Sequence, residues 1–147
     1  MERRGSVGYQ VNHLGRLLAQ ALRIRIAPYG VVPGQFAQLL ALYEREGLTQ
    51  NQLCDQVRID QSTMAHTLQR MGRDGLIERT PDPADGRRAL VMLTQRARDL
   101  ESSLVPAAQE VNAVATRGFT HEEVATCLNL VARMIDNLEA DSARDAN

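Results

Sequence analysis

The chain has 147 residues, of which 44% are hydrophobic and only 3% are aromatic, which fits one globular domain with an aliphatic core. No run of about 18 apolar residues is present, and the arginines near the N-terminus are not followed by the apolar stretch of a signal peptide. We therefore expect a cytoplasmic protein with no membrane partner. The net charge of −1 by itself argues against a nucleic-acid partner.

The distribution of charge along the chain weakens that argument, because local charge governs binding more than the net value does. Residues 58–96 carry seven arginines and five acids, whereas residues 97–147 carry four arginines and nine acids. All 17 basic residues are arginine. Arginine can form paired hydrogen bonds with a phosphate or a guanine edge, although codon bias also explains a composition without lysine.

The reactive residue types show no arrangement typical of an enzyme or a metal site. Cys54 and Cys127 are far apart, which favours two buried thiols over a redox switch. The histidines, His13, His66 and His121, have no metal-ligand spacing. Catalytic Ser–His–acid or Cys–His pairings and a glycine-rich phosphate loop are missing as well. The sequence predicts a protein without enzymatic activity, metal or cofactor.

Apolar residues recur every three or four positions in the first third of the chain, which is typical of helices. The first predicted helix carries this pattern over 7–22 and ends before Pro28 and Gly30. The second begins near Pro33, since proline suits the first helical position, and ends at Gly47. The residues expected on its buried side are Phe36, Leu39, Leu40 and Tyr43.

Two further helices are predicted from their capping signals. Thr49 and Gln52 form a capping box that begins a short helix over 50–57. Asp60 is a candidate N-cap for a helix over 61–73. The apolar residues of this fourth helix follow its period and should face the core, namely Met64, Leu68 and Met71.

A β-hairpin is predicted next, with strands over 76–80 and 89–93 joined by a loop rich in proline, aspartate and glycine. Arg87 and Arg88 follow the turn residues of this loop. Two arginines at the tip of such a hairpin can reach a DNA minor groove or its phosphates. Asp85 either orients Arg87 or simply begins the turn.

Two long helices complete the predicted secondary structure. Thr94 caps the fifth helix, in which Pro106 predicts a kink, and Gly118 breaks it. Thr120 caps the sixth helix, and a polar tail from Glu139 onward is expected to fray.

A helix, a tight break, a second helix and a hairpin together indicate a winged helix-turn-helix within a mainly α (α+β) fold. The side of the fourth helix opposite its apolar residues carries hydrogen-bonding groups without an acid, which suit base edges in a major groove. The alternative is an ordinary solvated helix face. These candidate DNA-binding residues are Gln61, Ser62, Thr63, His66, Thr67 and Arg70, together with Arg87 and Arg88 of the hairpin.

The ordered set of short motifs resembles the MarR family of bacterial transcription regulators over about residues 8–139. The shared motifs are P-x-Q-F at 33–36, L-T-Q-x-x-L at 48–53, D-x-S-T at 60–63, G-L-I-x-R at 75–79, D-x-R-R followed by V-x-L-T within 85–94, and F-T-x-E-E at 119–123. Each motif is weak alone, but their order and spacing together are specific.

The resemblance implies a homodimeric regulator of double-stranded DNA, most commonly a repressor. Residues 31–94 would form the DNA-binding lobe, and residues 7–30 and 95–139 would form the dimerisation region. The long apolar helix faces outside the winged unit agree with this, although packing within one chain is the alternative. A twofold dimer predicts a pseudo-palindromic operator with half-sites about 10 base pairs apart.

The resemblance also implies a small aromatic or carboxylate effector, bound between the dimerisation region and the DNA-binding lobe. The matching positions are His13, Leu14, Arg16, Leu17, Phe36 and Leu40, with Arg16 as the carboxylate partner. The alternative is that these are core and surface residues of a regulator without a ligand. A second alternative for the whole chain is a winged module that acts through protein contacts without specific DNA binding.

Overall fold

The computed structural model describes residues 2–146, which divide into two compact units between residues 111 and 112. These residues form six α-helices and one two-stranded antiparallel sheet, which confirms the winged-helix fold class. The elements are α1 Val7–Ile26, α2 Pro33–Glu44, α3 Gln50–Val57, α4 Gln61–Arg73, β1 Ile77–Pro81, β2 Ala89–Leu93, α5 Gln95–Ala115 and α6 His121–Asp145. Short 3-10 helices occur at Arg3–Gly5 and Ala27–Tyr29. Among residues 2–146, no helix has the length and apolar character needed to cross a membrane.

The helix starts are determined by local side-chain caps, as the sequence predicts. The hydroxyl of Thr49 accepts from the Gln52 amide at 3.2 Å, while the Gln52 side chain accepts from the Thr49 amide at 2.9 Å. Asp60 accepts from the Thr63 amide at 2.8 Å. These contacts satisfy backbone donors that have no partner within the helix, and the predicted bounds of α3 and α4 are confirmed.

The core of the first unit is built around the apolar side of α4. Met64, Leu68 and Met71 are at most 1% exposed, and burying each such side chain contributes roughly 1.5–3 kcal/mol. Their burial fixes which side of α4 faces outward. The other fully buried side chains of this core come from most neighbouring elements, and include Leu39 and Leu42 of α2, Leu53 of α3, Leu93 of β2 and Leu104 of α5.

The wing is the hairpin of β1, β2 and the loop between them, residues 77–93. Its two strands pair in register from Ile77 opposite Leu93 to Pro81 opposite Ala89. A contact that the sequence did not predict extends this pairing to the α2–α3 loop. The Val91 amide donates to the Leu48 carbonyl at 2.7 Å, and the Gly47 amide donates to the Val91 carbonyl at 3.1 Å. The base of the wing is therefore joined to the helix-turn-helix before α3 begins.

An ion pair between Arg98 and Glu46 also stabilises the contact between the α2–α3 loop and the base of the wing. Arg98 in the first turn of α5 donates from Nη2 to Glu46 Oε1 at 2.8 Å and from Nε to Glu46 Oε2 at 3.1 Å. Glu46 Oε1 also accepts from the Leu93 amide at 2.9 Å. The hydrogen bond from Arg98, aided by that from Leu93, lowers the pKa of Glu46. Glu46 thus ties β2 and α5 to the α2–α3 loop.

A buried hydroxyl forms a further tie between α2 and α5. Tyr43 donates to the Ala97 carbonyl at 2.7 Å. Burial raises the pKa of Tyr43 to about 12, so the phenol remains a donor at all physiological pH values.

Three sequence expectations need correction. Leu40 is 37% exposed, because Gln35, Gln38 and Leu42 occupy the buried side of α2 instead. Cys54 is buried as expected, but Cys127 is exposed on α6. Residues 139–145 are helical rather than frayed, since α6 continues to Asp145 and the Ser142 hydroxyl donates to the Leu138 carbonyl within it at 3.0 Å.

Replacing Glu46 by glutamine removes the charge that Arg98 and the Leu93 amide stabilise. Glu46→Gln should therefore unfold at a lower urea concentration than wild type at neutral pH. Because the folded pKa lies below the ordinary value of 4.5, this stabilisation is present above that pH and is lost as the pH falls through the lowered pKa. The gap between the two urea midpoints should shrink below pH 4.5.

Glu44→Gln provides the matched control, because Glu44 is exposed two residues earlier and undergoes the same change of charge. Equal effects of the two substitutions at every pH would contradict the bracing role of Glu46.

Candidate nucleic-acid interface

The structure places the six predicted α4 residues around the part of the helix that the buried residues leave uncovered. Five of them are exposed and Thr67 is half-buried. The alternation of buried and exposed positions follows the helical period, so the face is a direct consequence of the core packing. The exposed members of the set are Gln61, Ser62, Thr63, His66 and Arg70.

Gln61, the first residue of α4, is held by two amides from the start of α3. Its Oε1 accepts from Gln50 Nε2 at 3.1 Å, and its Nε2 donates to Asn51 Oδ1. Sequence reasoning missed Gln50 and Asn51, although they directly follow the Thr49 cap that was identified. The three amides form one exposed polar cluster, so Gln61 is restrained before any partner binds.

The N-terminus of α4 is already capped by a charge. Asp60 accepts from the Thr63 amide and from the Thr63 hydroxyl, both at 2.8 Å. These hydrogen bonds, the backbone bond first, lower the pKa of Asp60. A helix N-terminus attracts anions, but here a carboxylate of the same chain occupies that position. This end of α4 is therefore less suited to binding an anion than an uncapped helix N-terminus.

The two wing arginines have different surroundings. The Arg87 side chain is 93% exposed, and its Nε lies 3.4 Å from Asp85 Oδ1. Arg88 lies 3.4 Å from Asp82 and 3.8 Å from Asp85, and the Asp82 side chain is only 11% exposed. Arg88, whose side chain is 59% exposed, therefore braces the loop by pairing with two carboxylates, whereas Arg87 projects further into solvent.

Asp85 orients Arg87 through the backbone as well as the side chain. Its Oδ1 accepts from the Arg87 amide at 3.1 Å, and its carbonyl accepts from the Arg88 amide at 3.0 Å. Asp82 stabilises the other side of the turn, accepting from the Ala84 amide at 2.9 Å. The short loop thus holds its exposed cation by several local hydrogen bonds.

Comparison with known proteins places this geometry in a family. A family model described as the MarR family matches residues 29–88, which include α2, α3, α4 and the first part of the wing. A probable transcriptional regulator from Pseudomonas aeruginosa is 32% identical, with a TM-score of 0.81 over 90% of this chain and 99% of that one. A MarR transcriptional regulator from Methanosarcina mazei is 29% identical, with a TM-score of 0.79 over 89% and 94%. The chain belongs to the MarR family.

The curated relatives are also transcriptional regulators. The regulator YybA of Bacillus subtilis is 25% identical over 132 residues, which are 90% of this chain and 88% of that protein. The chain is thus a MarR-family transcriptional regulator, and the family predicted from the short sequence motifs is confirmed.

The effector positions that the resemblance implied lie on α1 and α2. His13, Leu14, Arg16 and Leu17 are exposed on α1, whereas Phe36 of α2 is only 7% exposed. Leu40 of α2 is exposed rather than buried.

An open groove of about 510 Å³ lies elsewhere, between the C-terminal half of α4 and β1. Its lining includes Leu68, Arg73, Ile77 and Arg79, and it contains none of the six effector candidates.

Among residues 2–146, no group of three or more His, Cys, Asp or Glu side chains is arranged to hold a metal ion.

The different surroundings of Arg87 and Arg88 predict different effects on the free protein. Arg88→Ala leaves Asp82 without its cationic partner, so the amides of the wing loop should exchange with solvent several-fold faster. Arg87→Ala should leave the exchange of these amides unchanged, because the Arg87 side chain is almost fully exposed and packs against little of the loop. Hydrogen exchange measured by mass spectrometry tests both variants, and equal effects would contradict the assignment of Arg88 as the brace.

Proposed function

We propose that this regulator is a homodimeric, cytoplasmic repressor that binds a pseudo-palindromic operator and is released by a small aromatic or carboxylate effector. In this proposal α4 enters the major groove and Arg87 contacts the adjacent minor groove or its phosphates. The observation that carries the proposal is the outward face of α4, which is polar and without an acid between Gln61 and Arg70. A base edge is the partner that such a face suits best.

The exposed arginine of the wing supports the same conclusion. A fully solvated guanidinium can contact a phosphate or a narrow minor groove without breaking a buried ion pair. A MarR-family regulator from Listeria monocytogenes, complexed with 26mer DNA, shares this fold at a TM-score of 0.84, with 23% identity. A protein with this fold has therefore been solved bound to DNA.

Unpartnered apolar side chains support a dimer. In the first unit, Val7, Val11 and Leu17 of α1 are more than half exposed. In the second unit, Leu128 and Leu138 of α6 are 65% and 68% exposed. Exposed apolar surface of this extent favours association, and a second copy of the chain would cover both helices under the family's twofold arrangement.

An effector is supported by one relative, the PcaV regulator of Streptomyces coelicolor in complex with its natural ligand, which is 27% identical with a TM-score of 0.84. Repression is supported by the repressor NicR of Pseudomonas putida, which is 29% identical over 105 residues. We propose that His13, Leu14, Leu17, Phe36 and Leu40 line the corresponding site here. Arg16 would then pair with an effector carboxylate.

Selection of bound sequences from a random duplex pool tests operator binding, since the pool contains every short target. The enriched sequence should be pseudo-palindromic, with half-sites about 10 base pairs apart. In fluorescence anisotropy, Arg87→Ala should weaken binding and lower the slope of log affinity against log salt by about one per subunit. Arg45→Ala is the control, because Arg45 is an exposed arginine outside α4 and the wing.

Enrichment of no sequence, or an Arg87→Ala variant with wild-type affinity and salt slope, would contradict the proposal. Those results would favour the alternative of a winged module that acts through protein contacts.

Charge placed on the apolar side of α6 should prevent dimerisation. Leu128→Glu combined with Leu138→Glu is expected to give a monomer in sedimentation velocity and to abolish operator binding. Arg133→Ala is the matched control, because Arg133 lies on the opposite side of the same helix by its position in the helical period. A doubly substituted protein that remains dimeric would exclude α6 from the interface.

A further inference from the structure

Arg96, in the first turn of α5, joins two helix ends that are distant in sequence. Its Nη1 donates to the Asp74 carbonyl at 2.6 Å, directly after α4. Its Nη2 donates to the Tyr29 carbonyl at 2.9 Å, at the end of the 3-10 helix between α1 and α2. Carbonyls at helix ends lack intrahelical donors and carry partial negative charge. One guanidinium therefore caps both ends.

Two glycines in the left-handed region lie beside this guanidinium. Gly30 has φ +72° and Gly75 has φ +70°. A Cβ at Gly30 would lie 3.0 Å from Arg96 Nη2, and one at Gly75 would lie 4.0 Å from Arg96 Nη1. The absence of a side chain at Gly30 therefore leaves space for Arg96, whereas Gly75 is required by its left-handed backbone.

A buried glutamine connects the same two segments by a second route. Gln35, only 1% exposed, donates from Nε2 to Asp74 Oδ2 at 2.7 Å and accepts from the Val32 amide at 3.2 Å. Asp74 Oδ2 also lies 3.7 Å from the Nε of Arg70, one of the candidate DNA-binding residues. Asp74 thus links the α1–α2 connection, residues 27–32, to the outward face of α4.

We propose that Arg96 is a positioning residue for DNA binding, which fixes the C-terminal end of α4 against the α1–α2 connection and so sets the orientation of α4 on the operator. Arg96 acts through backbone carbonyls and makes no DNA contact of its own. This inference rests on the proposed function, because it takes α4 to be the element that contacts DNA.

The first test is hydrogen exchange of the free protein. Arg96→Ala should raise exchange about tenfold in two separate segments, residues 28–32 and 72–76, because both lose the same cap. Exchange of residues 79–90 of the wing should be unaffected. Arg45→Ala is the matched control, since it removes an exposed arginine that lies outside this cluster. Unchanged exchange in both segments would overturn the proposed tie.

The second test compares the selected operator with a scrambled duplex in fluorescence anisotropy. Arg96→Ala should lower operator affinity about tenfold while leaving scrambled-duplex affinity and the salt slope unchanged, because no phosphate contact is lost. A purely structural role would lower the melting temperature but preserve the preference for the operator. A fall in the salt slope would instead show that Arg96 contacts a phosphate, which would also overturn the inference.

The same experiment separates this inference from the proposed function. A wild-type protein without any preference for an operator would overturn the proposed function, and this inference with it. A wild-type preference that is retained in full by Arg96→Ala would overturn this inference alone.

Gly30→Ala provides an independent test through a double-mutant cycle. The new Cβ would displace the Arg96 guanidinium, so Gly30→Ala should lower the operator preference in wild type but add little in the Arg96→Ala background. Gly118→Ala is the control, because Gly118 has φ +84° and its Cβ would meet nothing within 4 Å. Fully additive effects of the Gly30 and Arg96 substitutions would contradict their coupling.

Discussion

The burial of one side of α4 is the constraint on which the rest of the winged-helix lobe, residues 31–94, depends. Met64, Leu68 and Met71 are spaced by the helical period and are almost completely buried, so the helix cannot rotate without exposing them. At roughly 1.5–3 kcal/mol for each side chain, such a rotation would cost a large part of the stability of a small domain. The polar side of α4 is therefore held outward whether or not a partner is bound.

The arginines around the lobe differ in whether they stabilise it or remain available to a partner. Arg98 is paired with Glu46, Arg88 with Asp82, and Arg96 caps two helix ends. The Arg87 side chain, by contrast, is 93% exposed. The net charge of −1 therefore does not describe the tip of the wing, where the exposed side chain of Arg87 places a positive charge in solvent.

The parts of this arrangement that depend on local sequence could be predicted from it. Caps such as Thr49 and Asp60 act on amides three residues away, so α3 and α4 were predicted with their observed bounds. Contacts between distant segments could not be predicted in the same way. Glu46 and Arg98 are 52 residues apart, and Arg96 and Tyr29 are 67 apart, and no periodicity or spacing links such pairs.

Burial on α2 and α6 was also harder to predict. Helical periodicity places Leu40 near the apolar side of α2, but the chain buries Gln35 and Gln38 there. Gln35 is buried because it bonds to Asp74, whereas nothing in the structure explains the burial of Gln38. Cys127 lies on α6, where a polar side and an unpartnered apolar side are both exposed. Residue type therefore predicts burial poorly on a helix such as α6, whose apolar side is exposed in the single chain.

The most direct test of DNA contact by α4 and the wing is NMR spectroscopy of the arginine Nε–Hε groups during titration with the selected operator. We predict that the resonances of Arg70 and Arg87 shift on binding, while that of Arg98 remains in place because its guanidinium stays paired with Glu46. Unperturbed Arg70 and Arg87 resonances in a saturated complex would contradict the central claim that the outward face of α4 and the tip of the wing contact DNA.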